Sequence, residues 1–337
     1  GYQPIIDAGM QSAPEGYTDK FDRVKEITVS RLKSLRDKPQ TPAISIGDKH
    51  FFCPRTGDHL SELLTKYPEA RLIAGGTDLA LEMTQNLQEI NILISTIHVE
   101  ELKAIIIEED RLKIGSAASF NAFKTALLSE FPDLEEIIDR FGSLQIRNQC
   151  TLGGNIANAS PIADMPPLLI VLNATLILRR GEQRRIVPLE DFYLGYKKTI
   201  LMKSEFIEWI QIPKFSGGGQ VRVYKVSKRL EDDISACCAA ICLEVEDQKI
   251  KSADIAFGGM AVIPKRAVNC EAALKGRLWN EETIRGGMAG IENDFLPISD
   301  FRATKEYRLE VSKNLLMRYF LEVSSDFNQP LRVSTHA

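Results

Sequence analysis

The chain is poor in the residues that build metal centres. It has four histidines, His50, His59, His98 and His336, with no H-x-x-x-H pair among them. A zinc site of the helical kind is therefore excluded on spacing. Its six cysteines, Cys53, Cys150, Cys237, Cys238, Cys242 and Cys270, include no C-x-x-C pair. Six thiols scattered through 337 residues do not make a disulfide framework and point to a reduced, cytoplasmic setting. Charge of neither sign is in excess, with 42 Lys and Arg against 46 Asp and Glu. A net charge of −4 gives no basic field to recruit nucleic acid or an anionic membrane. No apolar run approaches the ~20 residues that cross a bilayer. Neither G-x-x-x-x-G-K-[ST] nor G-x-G-x-x-G occurs, which disfavours a P-loop enzyme and a Rossmann site. No Ser–His–Asp or Cys–His set is evident, and no paired carboxylates are poised for acid–base work. Chemistry on such a chain falls to a cofactor.

What is present is ordinary globular material, 44% hydrophobic and 26% charged. The length suits two domains, because single cores stop growing somewhere above ~250 residues. The opening Gly1-Tyr2-Gln3-Pro4 is neither an initiator methionine nor a signal peptide, so the chain reads as part of a longer one. Residues 1–41 combine a short apolar stretch, a Gly/Ser/Pro-rich stretch and a charged segment. They read as the tail of another domain plus a linker. From Thr41 the pattern tightens. Arg71-Leu72-Ile73-Ala74 is a short apolar run before Gly75-Gly76-Thr77-Asp78, with a helical pattern from Leu79. Residues 104–107 and 112–114 form a hairpin pattern around Glu109-Asp110. Ser119 is placed to cap a helix, and Pro132 to start another that continues to Phe141. Asp164 is placed to cap a third, whose first turn takes Pro166 and Pro167. A second hairpin covers 174–179 and 184–188, and 205–213 is an apolar strand. Ser216-Gly217-Gly218-Gly219 marks the best internal boundary. Beyond it, strands at 221–226, 235–245 and 249–258 precede helices capped by Asn280 and starting from Thr304. Tyr307, Val311, Leu315 and Tyr319 share one face of the last helix. The whole is α+β: a first part over 42–215, an antiparallel sheet covered by helices over 220–326, and a tail over 327–337.

Two glycine loops carry the chemistry. The first is Ala74-Gly75-Gly76-Thr77-Asp78. The second is Gln149-Cys150-Thr151-Leu152-Gly153-Gly154-Asn155-Ile156-Ala157-Asn158-Ala159-Ser160-Pro161. Consecutive glycines let backbone N–H groups converge on an anion with no Cβ in the way. Thr77, Thr151, Asn155, Asn158 and Ser160 add neutral hydrogen bonds. A lone Gly-Gly is most often a tight turn. Two such loops, both rich in small polar residues, suit a diphosphate-bearing cofactor held by amides.

Residues 72–79, with Gln145-Ile146-Arg147-Asn148 and Thr151 through Asp164, resemble the FAD-binding domain of molybdenum hydroxylases. The chain looks most like the small, FAD-carrying subunits of bacterial xanthine dehydrogenases, over about 42–325. The opening Gly1-Tyr2-Gln3-Pro4-Ile5-Ile6 resembles the residues just after the last cluster cysteines of that family's [2Fe–2S] domain. The resemblance implies a fold of the vanillyl-alcohol-oxidase type, with two α/β lobes followed by an α+β C-terminal domain, and noncovalent FAD between these parts. It implies that Leu72, Ile73, Ala74, Gly75, Gly76, Thr77, Asp78 and Leu79, with Thr151 to Asn155 (Gly154 among them), cradle the diphosphate, and that Cys150 stands in the binding loop for its small size. It places Phe141 beside the FAD. Asn158, Ala163 and Asp164 match positions at its pyrophosphate, ribityl or neighbouring groups, and Ile207 and Lys225 match further contacts. Glu231-Asp232-Asp233 matches an acidic loop near the flavin in some members. Read alone, Phe141 is equally a core aromatic, Asp164 a helix cap, Lys225 a surface strand lysine and 231–233 a solvated turn. Cys237, Cys238 and Cys242 read as buried small hydrophobes.

The implied function is electron relay in a xanthine dehydrogenase. Electrons from a molybdenum centre on a large partner subunit pass through [2Fe–2S] clusters to FAD and leave as hydride to NAD⁺. The family implies a hetero-oligomer; that no nucleic acid or membrane partner is expected rests on the charge balance and the short apolar runs. Two other readings compete. One is the FAD subunit of a sister hydroxylase acting on an aldehyde, carbon monoxide or another heterocycle. The other is a flavin-free scaffold subunit.

Overall fold

The computed structural model describes residues 3–12, 16, 18–36, 43–214 and 218–324. Gly1 and Tyr2, Ser216 and Gly217 of the expected boundary, and the expected tail over 327–337 lie outside the described residues. Contacts separate two units, Gly1–Pro42 and Ala43–Ala337.

The first unit has more helix than its linker-like composition suggested: α1 (Gln3–Gln11) and α2 (Lys25–Arg36). Their apolar side chains, including Ile5, Ile6, Leu32 and Leu35, are exposed.

The second unit opens with a small lobe. It runs β1 (Ala43–Ile46), β2 (Lys49–Phe52), α3 (Gly57–Lys66), β3 (Arg71–Ile73), α4 (Leu79–Thr84) and β4 (Ile92–Ser95). Thr56 caps α3 by accepting from the His59 amide at 3.2 Å, and Leu60, Leu63 and Leu64 turn one buried face to the sheet. The sheet order is β1-β2-β4-β3, with β4 parallel to both β2 and β3. The first glycine loop thus leaves the carboxyl end of a parallel strand, the edge where open α/β sheets hold ligands.

The next lobe contains β5 (Ile105–Ile107), β6 (Arg111–Gly115), α5 (Phe120–Glu130), α6 (Glu135–Asp139), α7 (Leu144–Gln149), α8 (Leu152–Ala157), α9 (Met165–Val171), β7 (Thr175–Arg180), β8 (Gln183–Pro188), β9 (Tyr193–Gly195), β10 (Lys198–Thr199) and β11 (Phe206–Pro213). Strands β5-β6-β11-β7-β8 form an antiparallel sheet, with both expected hairpins in place. The Ser119 cap is also as expected, accepting from the Ala122 amide at 3.3 Å. The helix expected from Pro132 to Phe141 is shorter. Pro132–Leu134 is a 3-10 turn, α6 stops at Asp139, and Gly142 turns the chain at φ 53°. Every residue of α9 is buried, which gives the second glycine motif a rigid floor.

The last part holds β12 (Gln220–Val226), β13 (Cys237–Glu246), β14 (Lys249–Gly258), β15 (Lys265–Arg266), α10 (Val268–Leu274), α11 (Glu281–Asp294) and α12 (Lys305–Val323). The sheet is antiparallel in the order β12-β13-β14-β15. Strand β13 explains its own unbroken apolar sequence. Cys237, Ala239, Ile241 and Leu243 pack with Leu316 and Tyr319 of α12, while Cys238, Ala240 and Cys242 join the core around α9 and α5. The two faces of one strand therefore enter two different cores. The face expected on α12 is corrected in part. Tyr307 is 51% exposed, and the buried positions are Arg308, Ser312, Leu315, Leu316 and Tyr319. Among the described residues no helix is long and apolar enough to cross a membrane.

Candidate cofactor site

The first loop crosses the second backbone on backbone. A Cβ on Gly75 would lie 1.8 Å from the carbonyl oxygen of Gln149. Only glycine permits that approach. Gly76 follows with φ 70°, in the left-handed region. The amides of Gly75, Gly76, Thr77 and Asp78 have no hydrogen-bond partner among the described residues. Four successive unpaired N–H groups are a donor set suited to an anion. Arg71 and Glu82 bracket this loop with a two-pronged ion pair, both bonds 2.9 Å. The hydrogen bond from Arg71 holds the Glu82 carboxyl below the usual glutamate range.

The second motif behaves differently from expectation. Its amides are already engaged: Leu152 donates to Ala118 O, Gly153 to Ser116 O, and Asn155 to Thr151 O. Gly154 donates to the Thr151 hydroxyl at 3.1 Å, so Thr151 serves as the cap of α8. The motif therefore offers side chains and a glycine surface rather than free amides. One of those side chains has an orphaned atom: Asn155 Oδ1 is buried with no partner. Cys150 is buried beside Thr77, and burial pushes its thiol pKa up.

The two motifs enclose a cavity of about 470 Å³. Residues 72–79, Phe141, Cys150, Thr151, Gly154, Asn155 and Asn158 all line it, as do Arg71, Glu82, Ile146, Ala157 and Ile234. A second cavity, about 230 Å³, shares Ala74, Gly75 and Thr151 with the first and adds Thr96, Lys103, Ser119 and Asn148. Thr96 Oγ1 is buried there without a partner. Sequence reasoning missed Arg71, Glu82 and Ile234. Ile146 and Ala157 stood inside quoted motifs, and nothing local marks the other three as cavity residues.

Four expected residues do not line either cavity: Ala163, Asp164, Ile207 and Lys225. Ile207 is a core residue of β11. Ala163 is 8% exposed and turns its carbonyl to Gly258, where a Cβ would sit 3.2 Å away. Asp164 does not cap α9 with its side chain. Its carboxylate instead accepts from Lys225 Nζ at 2.6 Å and from the Ser235 hydroxyl. All three residues are at least nine-tenths buried, so Lys225 is not a surface lysine. In the acidic stretch 231–233, Glu231 and Asp232 are exposed, while the half-buried Asp233 closes a turn by accepting from the amides of Arg229 and Ile234. That turn delivers Ile234 to the cavity.

Residues 45–215, just over half of the chain, match a family model described as the FAD binding domain in molybdopterin dehydrogenase. The chain belongs to this family. Residues 222–323 match a second model, the CO dehydrogenase flavoprotein C-terminal domain. A xanthine dehydrogenase of Emericella nidulans is 29% identical over 292 residues, covering 82% of this chain and 21% of that protein. The chain spans 21% to 24% of the length of such full-length relatives. The glyceraldehyde dehydrogenase medium chain of Sulfolobus acidocaldarius is 28% identical over 256 residues, 75% of this chain and 90% of that one. Among solved structures, reconstituted CO dehydrogenase from Oligotropha carboxidovorans superposes with a TM-score of 0.76 at 28% identity, covering 82% of this chain and 97% of that one. The residues of this FAD-binding domain fit the cofactor on physical grounds. Four unpaired amides suit a diphosphate. Two orphaned buried oxygens, on Asn155 and Thr96, await donors, and the two cavities share Ala74, Gly75 and Thr151 in their linings.

Proposed function

We propose that the chain is the FAD-carrying electron-transfer part of a xanthine dehydrogenase, with residues 42–215 as FAD module and 220–326 as its C-terminal companion. When bound, FAD supplies a two-electron store that fills singly from [2Fe–2S] clusters and empties as hydride to NAD⁺. The clusters would belong to an iron–sulfur partner domain, and the molybdenum centre to a large partner subunit. The chain's own task is to hold and orient. Unpaired amides at 75–78 would grip the diphosphate, and fixed N–H dipoles do so without reorganising as charge on the flavin changes. Phe141 and Ile234 would bound the flavin side, while Asp164, Lys225 and Ser235 brace that wall from behind.

The observation that carries this reading is the run of four partnerless amides opening on a cavity between two glycine motifs. The test is an absorption spectrum of the purified chain, repeated on the supernatant after heating. Released yellow flavin supports the reading, with no xanthine turnover unless molybdenum and iron–sulfur partners are added. A colourless protein that takes up no added FAD would return the chain to the scaffold reading. The 90% coverage of the glyceraldehyde dehydrogenase medium chain favours, as second reading, the flavin subunit of a hydroxylase for another substrate. Screening the assembled complex against xanthine and aldehydes separates the two.

A further inference from the structure

We propose that Arg147 is a positioning residue for the cofactor site, acting through Phe141. The inference rests on the reading of this cavity as the FAD site. Arg147 lines neither cavity. Its Nη1 instead donates to three carbonyls of one turn: Asp139 at 2.7 Å, Phe141 at 3.2 Å and Gly142 at 2.7 Å. Three carbonyls converging on one point need a cation there, and a guanidinium supplies it with the charge delocalised. On its N-terminal side the turn is anchored by Arg140, which donates to the carbonyls of Lys225 and Leu230, both at 3.0 Å; beyond Phe141 the restraint falls to Arg147. The turn follows the five-residue helix α6 and passes through Gly142 at φ 53°. A Cβ on Gly142 would meet Ile146 at 2.8 Å, so the turn lies tight on the first turn of α7, the helix that carries Arg147.

The turn presents Phe141, which lines the cavity. The Phe141 ring stacks flat on the fully buried Phe120, with centroids 3.9 Å apart and planes 10° from parallel. That stack leaves the opposite face of the ring for the cavity. Lys124 adds a third restraint by pairing with the Asp139 carboxylate at the start of the turn. Phe120 fixes the plane of Phe141, and Arg147 fixes the backbone from which the ring hangs. Without Arg147 the three carbonyls lose their shared donor, the turn relaxes, and the ring no longer meets the cofactor in the same plane.

A double-mutant cycle on the full chain tests this, with FAD as probe and quenching of its fluorescence as readout. Phe141→Leu and Arg147→Met should each weaken FAD binding by about tenfold, the scale of a lost aromatic contact. The double variant should be no weaker than either single one, and all three should shift the bound-flavin absorption band in the same direction. A double variant weakened by about the product, near a hundredfold, would mean independent actions and overturn the proposal. Unchanged binding by Arg147→Met would overturn it too. If Phe141→Leu itself binds FAD like the parent, the placement of flavin beside Phe141 fails, and the proposal with it. Should Arg147→Met not fold, Arg147→Lys is read in the same cycle. It keeps the charge but offers a different donor geometry.

Discussion

Gly75→Ala is the sharpest test of the crossing between the two motifs. The added Cβ would lie 1.8 Å from Gln149 O, 2.5 Å from its carbonyl carbon and 3.0 Å from the Cys150 amide nitrogen. All three are backbone atoms, so no side chain can swing away. The loops must part by about 1 Å, which puts the cost near the upper end of overpacking, about 3 kcal/mol. An unliganded loop can relax out of the clash. Binding FAD must pull the amides of 75–78 back and meets that cost again. The expected loss is therefore roughly a hundredfold in FAD affinity. Melting of the unliganded chain should change little, while that of the FAD-bound chain should fall by several degrees, at about 2–4 °C per kcal/mol for a unit of this size. Gly154→Ala is the internal control. Its Cβ would meet only the Thr151 hydroxyl, at 2.9 Å, an atom that can rotate aside. The loss there is the cap bond to Gly154, about 1 kcal/mol or fivefold in affinity. Fluorescence titration with FAD and thermal melting by circular dichroism read both variants. Gly75→Ala binding within twofold of the parent, with unchanged melting of the FAD-bound chain, would refute the crossing as the element that shapes the site.

Lys225→Met should cost about 3–5 kcal/mol in urea unfolding, because it leaves the Asp164 carboxylate buried with only Ser235 beside it. An unchanged midpoint would show that the pair is dispensable. The Arg71–Glu82 bracket sets an acid limit. Because the folded Glu82 pKa is depressed, its contribution is complete above the ordinary glutamate range and is lost as pH falls through the lowered folded value. FAD affinity should show no loss from this pair between pH ~7 and ~5.5, then weaken in stronger acid. Glu82→Gln should lack that acid-dependent step, and an identical profile in both proteins would sink the assignment. Cys150 should resist iodoacetamide at pH ~8, since burial raises its pKa and keeps the thiol protonated, and should react once urea exposes it. Peptide mass spectrometry decides, and rapid labelling in the native chain would contradict the burial.

The legible parts of this fold are those written locally. Hairpins announced themselves by alternation around short polar turns, and Ser119, Asn280 and Thr304 each accept the expected cap bond. The two glycine motifs were legible because runs of glycine beside small polar residues have few other uses. Their division of labour was not. Both motifs look like amide cradles in sequence, yet the second has its amides engaged. A Cβ on Gly153 would lie 2.5 Å from the Cβ of Ser116, and the Gly153 amide donates to the Ser116 carbonyl. Nothing within the motif records that Ser116 will be there.

Asp164 shows the same limit more clearly. Its place before Met165-Pro166-Pro167 reads as a cap, and the local pattern is sound. But a short helix that is buried along its whole length brings Asp164 inside with it. A buried carboxylate is costly until a charged partner meets it, far more costly than an unmade cap bond is to lose. Lys225 and Ser235, 61 and 71 residues away, provide the partners, so the carboxylate turns from the helix end to them. The same competition exposes Tyr307 on α12. Arg308 is drawn in by the carbonyls of Ala236 and Gly259 and by the carboxylate of Asp300, and the face rotates with it. In both places a charge with distant partners outweighed a local rule. Gly259 then donates to Pro161 O at 2.7 Å, at the end of the second glycine motif. The buried charges that sequence reading misplaced thus belong to the scaffold outside the cavity lining, where rigidity serves a site that must hold a cofactor in one orientation.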